Sequence, residues 1–513
     1  PSRWEREGWI QERRGMNLDR REFVMTTAAL AAAGLVARGA AAGSKPARRG
    51  VMEPDPDAPM PTADACIYIY LPGGVAQTDT WDPKQHTPFQ QGMLGSELQG
   101  TCASIETAAD GVRLGAGLEK MAGVMDKGCI LRTLTSDVMF GAVHLRAQYA
   151  LMTGYIHPAG FKAPSMGALV GQSLGRRHPL VPEYIYIGRD IDTSDSEKQF
   201  IAEYLGPGFL GPAAAPFMIP DPGAGLATLS AAAGMTPQRL DRRQALLGKL
   251  NALADRALRD SDAAETVRRM MADARAMMDS PVKKAFDLSG EPERVRDGYK
   301  AAVGPKGVID KGYYHGDRFG NGLLMARRLV EAGSRFVQVE YQYGPFKGFD
   351  MHESGATRME EMKAQIDGPI AQLITDLHER GMLDRTLVVI GTEFGRTIAA
   401  APAAGVEAEG ATETHTGEKL VIADEKMYGF HGHFSSCNNM LFFGGGFKKG
   451  IAYGKTAERH PMLAVENPVK LIDAHATIYH ALGMGPRTSF VSEGRPIYIT
   501  KDGNGKAVAG LLG

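Results

Sequence analysis

The segment 322–390 reads helix, strand, helix, strand, and this alternation restricts the fold more than any other feature of the chain. Residues 322–332 carry a helical pattern and stop at Gly333, which suits the left-handed turn after a helix. Arg335 to Glu340 is a short strand-like run. Glu360 to Arg380 then places Ile366, Ile370, Leu373, Ile374 and Leu377 at helical spacing before Gly381, and Thr386 to Ile390 is apolar again. Such alternation predicts an α/β fold: a mostly parallel central sheet with helices on both faces. Further strands are expected at 65–71, 129–134, 184–187 and 439–443. Helices are expected at 145–153 and 473–482, the latter with Asp473 as its N-cap. Residues 200–230 are rich in Gly, Pro and Ala and read as irregular. The stretches 237–259 and 265–278 read as a helical insertion, and 399–430 as a long excursion that could serve as a lid.

Composition narrows the functional classes. The 513 residues carry a formal net charge of -1, which gives no basic field for nucleic acid. The four cysteines form no CxxC pair, so a zinc knuckle or disulfide scaffold is not expected, and a single disulfide cannot be assigned.

The amino-terminal region reads as an address. Arg20-Arg21 precede an apolar run from Val24 to Val36, and Ala40-Ala41-Ala42 offers a cleavage site. The pattern resembles a twin-arginine export signal, with Met16 as the natural start. The run falls short of the ~20 residues of a membrane span. The expected organisation is an extension and signal over 1–42, a disordered linker over 43–60, and one α/β domain over 61–513, periplasmic or secreted.

Chemistry-bearing residues follow the strands. Asp79 and Asp82 lie past the end of the first strand, where ligands bind in open α/β sheets, although Asp-Pro is also common in turns; Asp79 is expected as a further metal ligand or to position water. His144 sits at the head of a helix, where free amides hold anions; a plain surface histidine is the alternative. Phe349-Asp350-Met351-His352 follows one strand, and Thr392-Glu393-Phe394-Gly395-Arg396 follows the next. Asp350, His352, Glu393 and His433 are ligand types that suit Zn²⁺ or Mn²⁺, one ion or two; a more carboxylate-rich site would favour Ca²⁺ or Mg²⁺. Arg396 could hold an anion bidentately, or pair with a neighbouring acid.

Several motifs together resemble a bacterial family, domain of unknown function 1501. They are Gly73-Gly74 with Asp79-Thr80-Trp81-Asp82-Pro83-Lys84, Ala326-Arg327-Arg328-Leu329-Val330-Glu331-Ala332-Gly333, Phe349-Asp350-Met351-His352, Glu393-Phe394-Gly395-Arg396-Thr397 and the run from His433 to Gly446. That family is placed in the alkaline phosphatase and sulfatase superfamily. The resemblance implies an alkaline-phosphatase-like fold with metals at the carboxyl ends of the strands. It implies that Asp350, His352 and His433 form one metal site, that Glu393 stands where a second site has an aspartate, and that His144 occupies the nucleophile position, where it could act as a nucleophile, as a general base for water or as a ligand. This chain departs from the pattern at Pro72, at His144 (not Ser, Thr or Cys), at Phe394 and at His431-Gly432-His433. The expected activity is an exported metal-dependent hydrolase of phosphate or sulfate esters. Its partners would be a small anionic ester or a sulfated or phosphorylated glycan, together with the twin-arginine machinery. The alternatives are a non-catalytic metal-containing protein that binds an anionic glycan or envelope partner, and a metal-free structural envelope protein.

Overall fold

The computed structural model describes residues 51–513 apart from 136–142, 158–159, 189–202, much of 230–274, 304–314, 343–347, 399–420, 430 and 460–461. The expected export signal therefore lies outside the described residues, as does most of the excursion. The described residues fall in one compact unit, Arg49–Gly513.

The strands used below are β1 (Ala65–Tyr70), β2 (Gly128–Thr135), β3 (Tyr184–Ile187), β4 (Phe217–Ile219), β5 (Phe336–Glu340), β6 (Thr386–Gly391), β7 (Gly395–Ile398), β8 (His431–Phe434), β9 (Asn438–Phe443), β10 (Ile451–Tyr453) and β11 (Val469–Lys470). The helices are α1 (His144–Thr153), α2 (Met166–Leu174), α3 (Gly316–Glu331), α4 (Gly355–Glu379) and α5 (Leu471–Ala481). The main sheet has nine strands in the order β10-β2-β9-β6-β1-β5-β3-β4, with β11 also against β2. Every pairing is parallel except those of β9, which runs against β2 and β6. The expected mostly parallel sheet is what forms.

The strands are buried on both faces, and their side chains divide with period two. Ile67, Ile69, Val337, Val339, Val388 and Ile390 pack in one core with α3 and α4. Cys66, Tyr68, Tyr70, Phe336, Leu387 and Val389 pack in a second core with α1, α2 and α5. Helices therefore cover both faces, and the loops at the carboxyl ends of β1, β5 and β6 open together above the sheet.

Four of the differences between the structure and the sequence reading bear on how the elements are held. Helix α3 starts at Gly316, six residues before Gly322. Its glycines are contact points: a Cβ at Gly320 would lie 1.9 Å from the Tyr299 carbonyl oxygen. Helix α5 begins at Leu471, so Asp473 is inside its first turn and accepts from the Lys506 amide at 2.8 Å. The irregular stretch contains β4, an edge strand whose three residues were too few to show a period. Residues 51–60 are not wholly linker: Met52–Glu53 pairs with Phe490 and Ser489, and buried Asp55 accepts from the Arg487 guanidinium at 3.1 Å. The two expected insertion helices lie largely outside the described residues, and their described positions are helical. Among the described residues no helix is long and apolar enough to cross a membrane.

Candidate metal centre

Four segments meet above β1, β5 and β6. The first is Gly73-Gly74, directly after β1, with φ of 113° and 80°. Only glycine fits there: a Cβ on Gly73 would lie 2.6 Å from the Asp350 amide nitrogen, and one on Gly74 2.7 Å from the Phe394 ring. The second is the turn after β5, which carries Asp350 and His352. The third is the hairpin of β7 and β8, in which Arg396 is paired with His433 and Ile398 with His431. Alternate residues share a strand face, so His431 and His433 project the same way. The fourth is the start of α1, where His144 is the first helical residue and no side chain caps the turn.

These segments bring His144, Asp350, His352 and His433 together, with one ligand atom from each within 4.8 Å of the others. The focus is a single oxygen. Asp350 Oδ1 lies 3.1 Å from His144 Nε2, 2.9 Å from His352 Nε2 and 3.6 Å from His433 Nε2. The His352 and His433 Nε2 atoms are 3.2 Å apart. Four ligands at ~2.0–2.1 Å from a shared ion lie ~3.3 Å from one another in a tetrahedral arrangement. The spacing and the N₃O donor set thus fit a divalent cation of the Zn²⁺ kind, and the carboxylate oxygen also suits Mn²⁺. The carboxylate is buried, whereas the His144, His352 and His433 side chains are 12%, 28% and 17% exposed, so solvent reaches the centre from the imidazole side.

The electrostatics agree with a cation site. Burial pushes the Asp350 pKa up, but the contacts from His144, His352 and His433 more than reverse this and hold it far below the usual carboxylate range. For His144, burial lowers the pKa and the contacts with Asp350 and Glu393 outweigh it, so the net shift is upward. A proton and a metal ion are alternative answers to the same negative field.

Glu393 stands behind this group. Its Oε1 accepts from the Gly73 amide at 2.8 Å, lies 2.7 Å from His144 Nδ1 and accepts from Gln148 Nε2 at 3.4 Å. Its Oε2 accepts from Tyr70 Oη at 3.0 Å and Thr392 Oγ1 at 3.2 Å. Those contacts occupy both oxygens, so Glu393 faces the His144 ring and not the shared centre. Burial raises its pKa, and the His144 and backbone contacts bring it below the ordinary value. Phe394 supplies an apolar wall, its ring 4.8 Å from that of His144 and 4.6 Å from that of His433.

Arg396 is fully buried, and its guanidinium is directed inward. Nε donates to Gly74 O at 3.1 Å; Nη1 donates to Met351 O at 3.4 Å and His431 O at 2.9 Å; Nη2 donates to Gly73 O and, at 2.7 Å, to Asp350 Oδ1. A guanidinium has five N–H donors, and these five acceptors use all of them. The pairing with a neighbouring acid, left open by the sequence, is the arrangement found.

Asp79 is not brought to the cluster. Its Oδ1 accepts from the Thr101 amide at 3.1 Å and hydroxyl at 2.7 Å, and its Oδ2 faces His431 Nε2 at 3.3 Å. Burial keeps His431 below its ordinary pKa despite Asp79. Asp79 thus fixes the foot of the strand that carries His433. Of the groups around Glu393, Thr392 reads only as part of its motif, and Tyr70 and Gln148 are not singled out by the sequence. Gln148 alone had a readable signal, its position four residues after His144 on one helix face.

A protein family described as "Protein of unknown function (DUF1501)" matches residues 63–512. No curated protein matches. Similar solved structures include the lipoteichoic acid synthase LtaP from Listeria monocytogenes, at 11% identity and TM-score 0.37, covering 88% of this chain and 79% of that one. A protein of the alkaline phosphatase superfamily from Vibrio parahaemolyticus is 10% identical at TM-score 0.37, covering 90% and 74%. The PsFucS1 sulfatase from Pseudoalteromonas sp. is 11% identical at TM-score 0.35, covering 83% and 68%. The family match spans nearly all of the described residues, and the chain belongs to the DUF1501 family.

Proposed function

We propose that this chain is an exported metal-dependent hydrolase of phosphate or sulfate esters. The observation that carries the reading is the convergence of three imidazole Nε2 atoms on one buried carboxylate oxygen, Asp350 Oδ1, above the carboxyl ends of parallel strands. His144, Asp350, His352 and His433 would hold one divalent cation, with Zn²⁺ or Mn²⁺ favoured by the donor set. Such an ion supplies Lewis acidity toward a phosphoryl or sulfuryl oxygen and acidifies water. His144, engaged at both nitrogens, is read as a ligand and not as a nucleophile. Glu393 orients it, and Arg396 pins the three loops beneath it. The uncapped first turn of α1 offers amides for an anionic oxygen. The substrate class is a small anionic ester or a sulfated or phosphorylated glycan. The paired arginines and the apolar run that follows support export by the twin-arginine route to the periplasm or beyond.

A second reading has its own support. The inward-turned Arg396 and the engaged His144 suit a metal-containing protein that binds an anionic glycan or envelope partner without turnover. One experiment separates the two. Metal-loaded protein is assayed against aryl phosphate, phosphodiester and sulfate esters, and its ligand binding is measured in parallel. Turnover that disappears in Asp350→Asn supports the hydrolase. Metal retention and glycan binding with no turnover under any divalent ion would leave only the binding protein.

A further inference from the structure

We propose that Gln148 and Tyr204 are positioning residues of the metal centre. With Glu393 they form a one-way hydrogen-bond relay that decides which nitrogen of His144 carries its proton. The inference rests on the metal-site reading above and extends it to residues remote from the ion.

The direction of the relay follows from its anchor. An ionised carboxylate only accepts hydrogen bonds. Glu393, with a fully buried side chain, therefore obliges each of its partners to donate. His144 must carry its proton on Nδ1, 2.7 Å away, which leaves the Nε2 lone pair facing the centre beside Asp350. Gln148 must likewise turn its amide nitrogen toward Glu393, at 3.4 Å, so its Oε1 faces the other way. There it accepts from Tyr204 Oη at 2.8 Å. Gln148 and Tyr204 are both fully buried, which closes the route by which water could replace either partner.

The helix geometry reinforces the chain. His144 and Gln148 are four residues apart on α1, on one face, and both reach the same carboxylate of the loop after β6. The first turn of α1 is thereby locked to the sheet, and the imidazole can neither flip nor change tautomer without breaking the lock. A ligating histidine gains from such a partner in two ways: the ring is held in place, and the N–H···carboxylate bond raises the basicity of the other nitrogen. A histidine with only a packing role would need no such one-way chain behind it.

The test uses the full chain stripped of metal. Zn²⁺ affinity is measured by competition with a chromophoric chelator. The Co²⁺ form is followed by proton NMR, where the ring N–H protons of coordinated imidazoles are shifted out of the diamagnetic envelope. Wild type is expected to bind one equivalent and to show a slowly exchanging His144 Nδ1–H. Gln148→Leu should weaken Zn²⁺ binding by about tenfold or more and speed exchange of that proton; the loss of its buried hydrogen bonds also lowers the unfolding midpoint of the metal-free protein, so the exchange rate of the His144 proton is the deciding readout. Tyr204→Phe, which removes a single oxygen, should move affinity and exchange in the same direction by less. If Gln148→Leu does not fold, Tyr204→Phe decides the question. Wild-type affinity and exchange in the variants, alongside one bound equivalent in wild type, overturn the relay and leave the metal site standing. No metal binding by wild type removes both.

Discussion

Replacing Arg396 by lysine distinguishes a pin from a substrate clamp. The guanidinium serves five acceptors: the carbonyls of Gly73, Gly74, Met351 and His431, and Asp350 Oδ1. A lysine keeps the charge but has three donors on one nitrogen, and from a single point it can reach Asp350 and one or two carbonyls. At least two buried carbonyls then lose their partner, at roughly 1–3 kcal/mol each. The expected loss is about 2–6 kcal/mol, a large share of the 5–15 kcal/mol typical of a folded domain. The assay is urea unfolding of metal-free wild type and Arg396→Lys, with the midpoint read by fluorescence and circular dichroism. A markedly lower midpoint in the variant is expected. A substrate clamp predicts the opposite pattern: unchanged stability with weaker binding of the anionic substrate. That pattern would refute the inward assignment of the five donors.

Other expectations concern the rest of the fold. Burial holds His475 down to a pKa of about 4 against an ordinary value of 6.5. The unfolded chain therefore takes up this proton first as pH falls, so stability is complete above about pH 6.5 and declines toward pH 4 by roughly 3 kcal/mol; His475→Gln should flatten that part of the unfolding-midpoint profile. Arg327 is buried against Glu291 at 2.8 Å, Glu331 at 2.7 Å and Asp376 at 2.9 Å; Arg327→Leu takes one partner from two buried acids that keep Arg328 and Arg380 (Glu291) and Arg380 and Tyr299 (Asp376), and should cost about 1–3 kcal/mol in urea unfolding. Gly320→Ala should cost about 1–3 kcal/mol or more, because its Cβ would meet the Tyr299 carbonyl oxygen at 1.9 Å; thermal midpoints compared with wild type give the value.

The sheet was legible because its strands announce themselves. Ala65–Tyr70 and Thr386–Gly391 are continuous apolar runs, as expected for strands covered on both faces, and α4 has a clear helical period. β4 was not legible, since a three-residue edge strand with exposed Met218 has neither length nor pattern. Asp350, His352 and His433 could be singled out by residue type and by the motifs that carry the family resemblance; only His433 lies within a strand, whereas Asp350 and His352 sit in the loop that follows β5. His144 was legible as the head of a helix. The direction of Arg396 was not, because its acceptors come from residues 73–74, 350–351 and 431, whose meeting is a property of the tertiary fold. Asp79 illustrates the same limit: its position after β1 is readable, but its partner His431 is over three hundred residues away. Glu393 has the chemistry of a ligand, and only the five donors around it direct it toward the imidazole instead of the ion.

One divalent cation shared by His144, Asp350, His352 and His433 is what the proposed hydrolase depends on. Crystals of protein purified without chelator, measured on either side of the zinc and manganese absorption edges, test it directly. One anomalous peak is expected at ~2.0–2.2 Å from the three Nε2 atoms and an Asp350 oxygen, absent in His433→Ala. No peak there in metal-supplemented crystals, or a peak held by Glu393 or Asp79 instead, would contradict it.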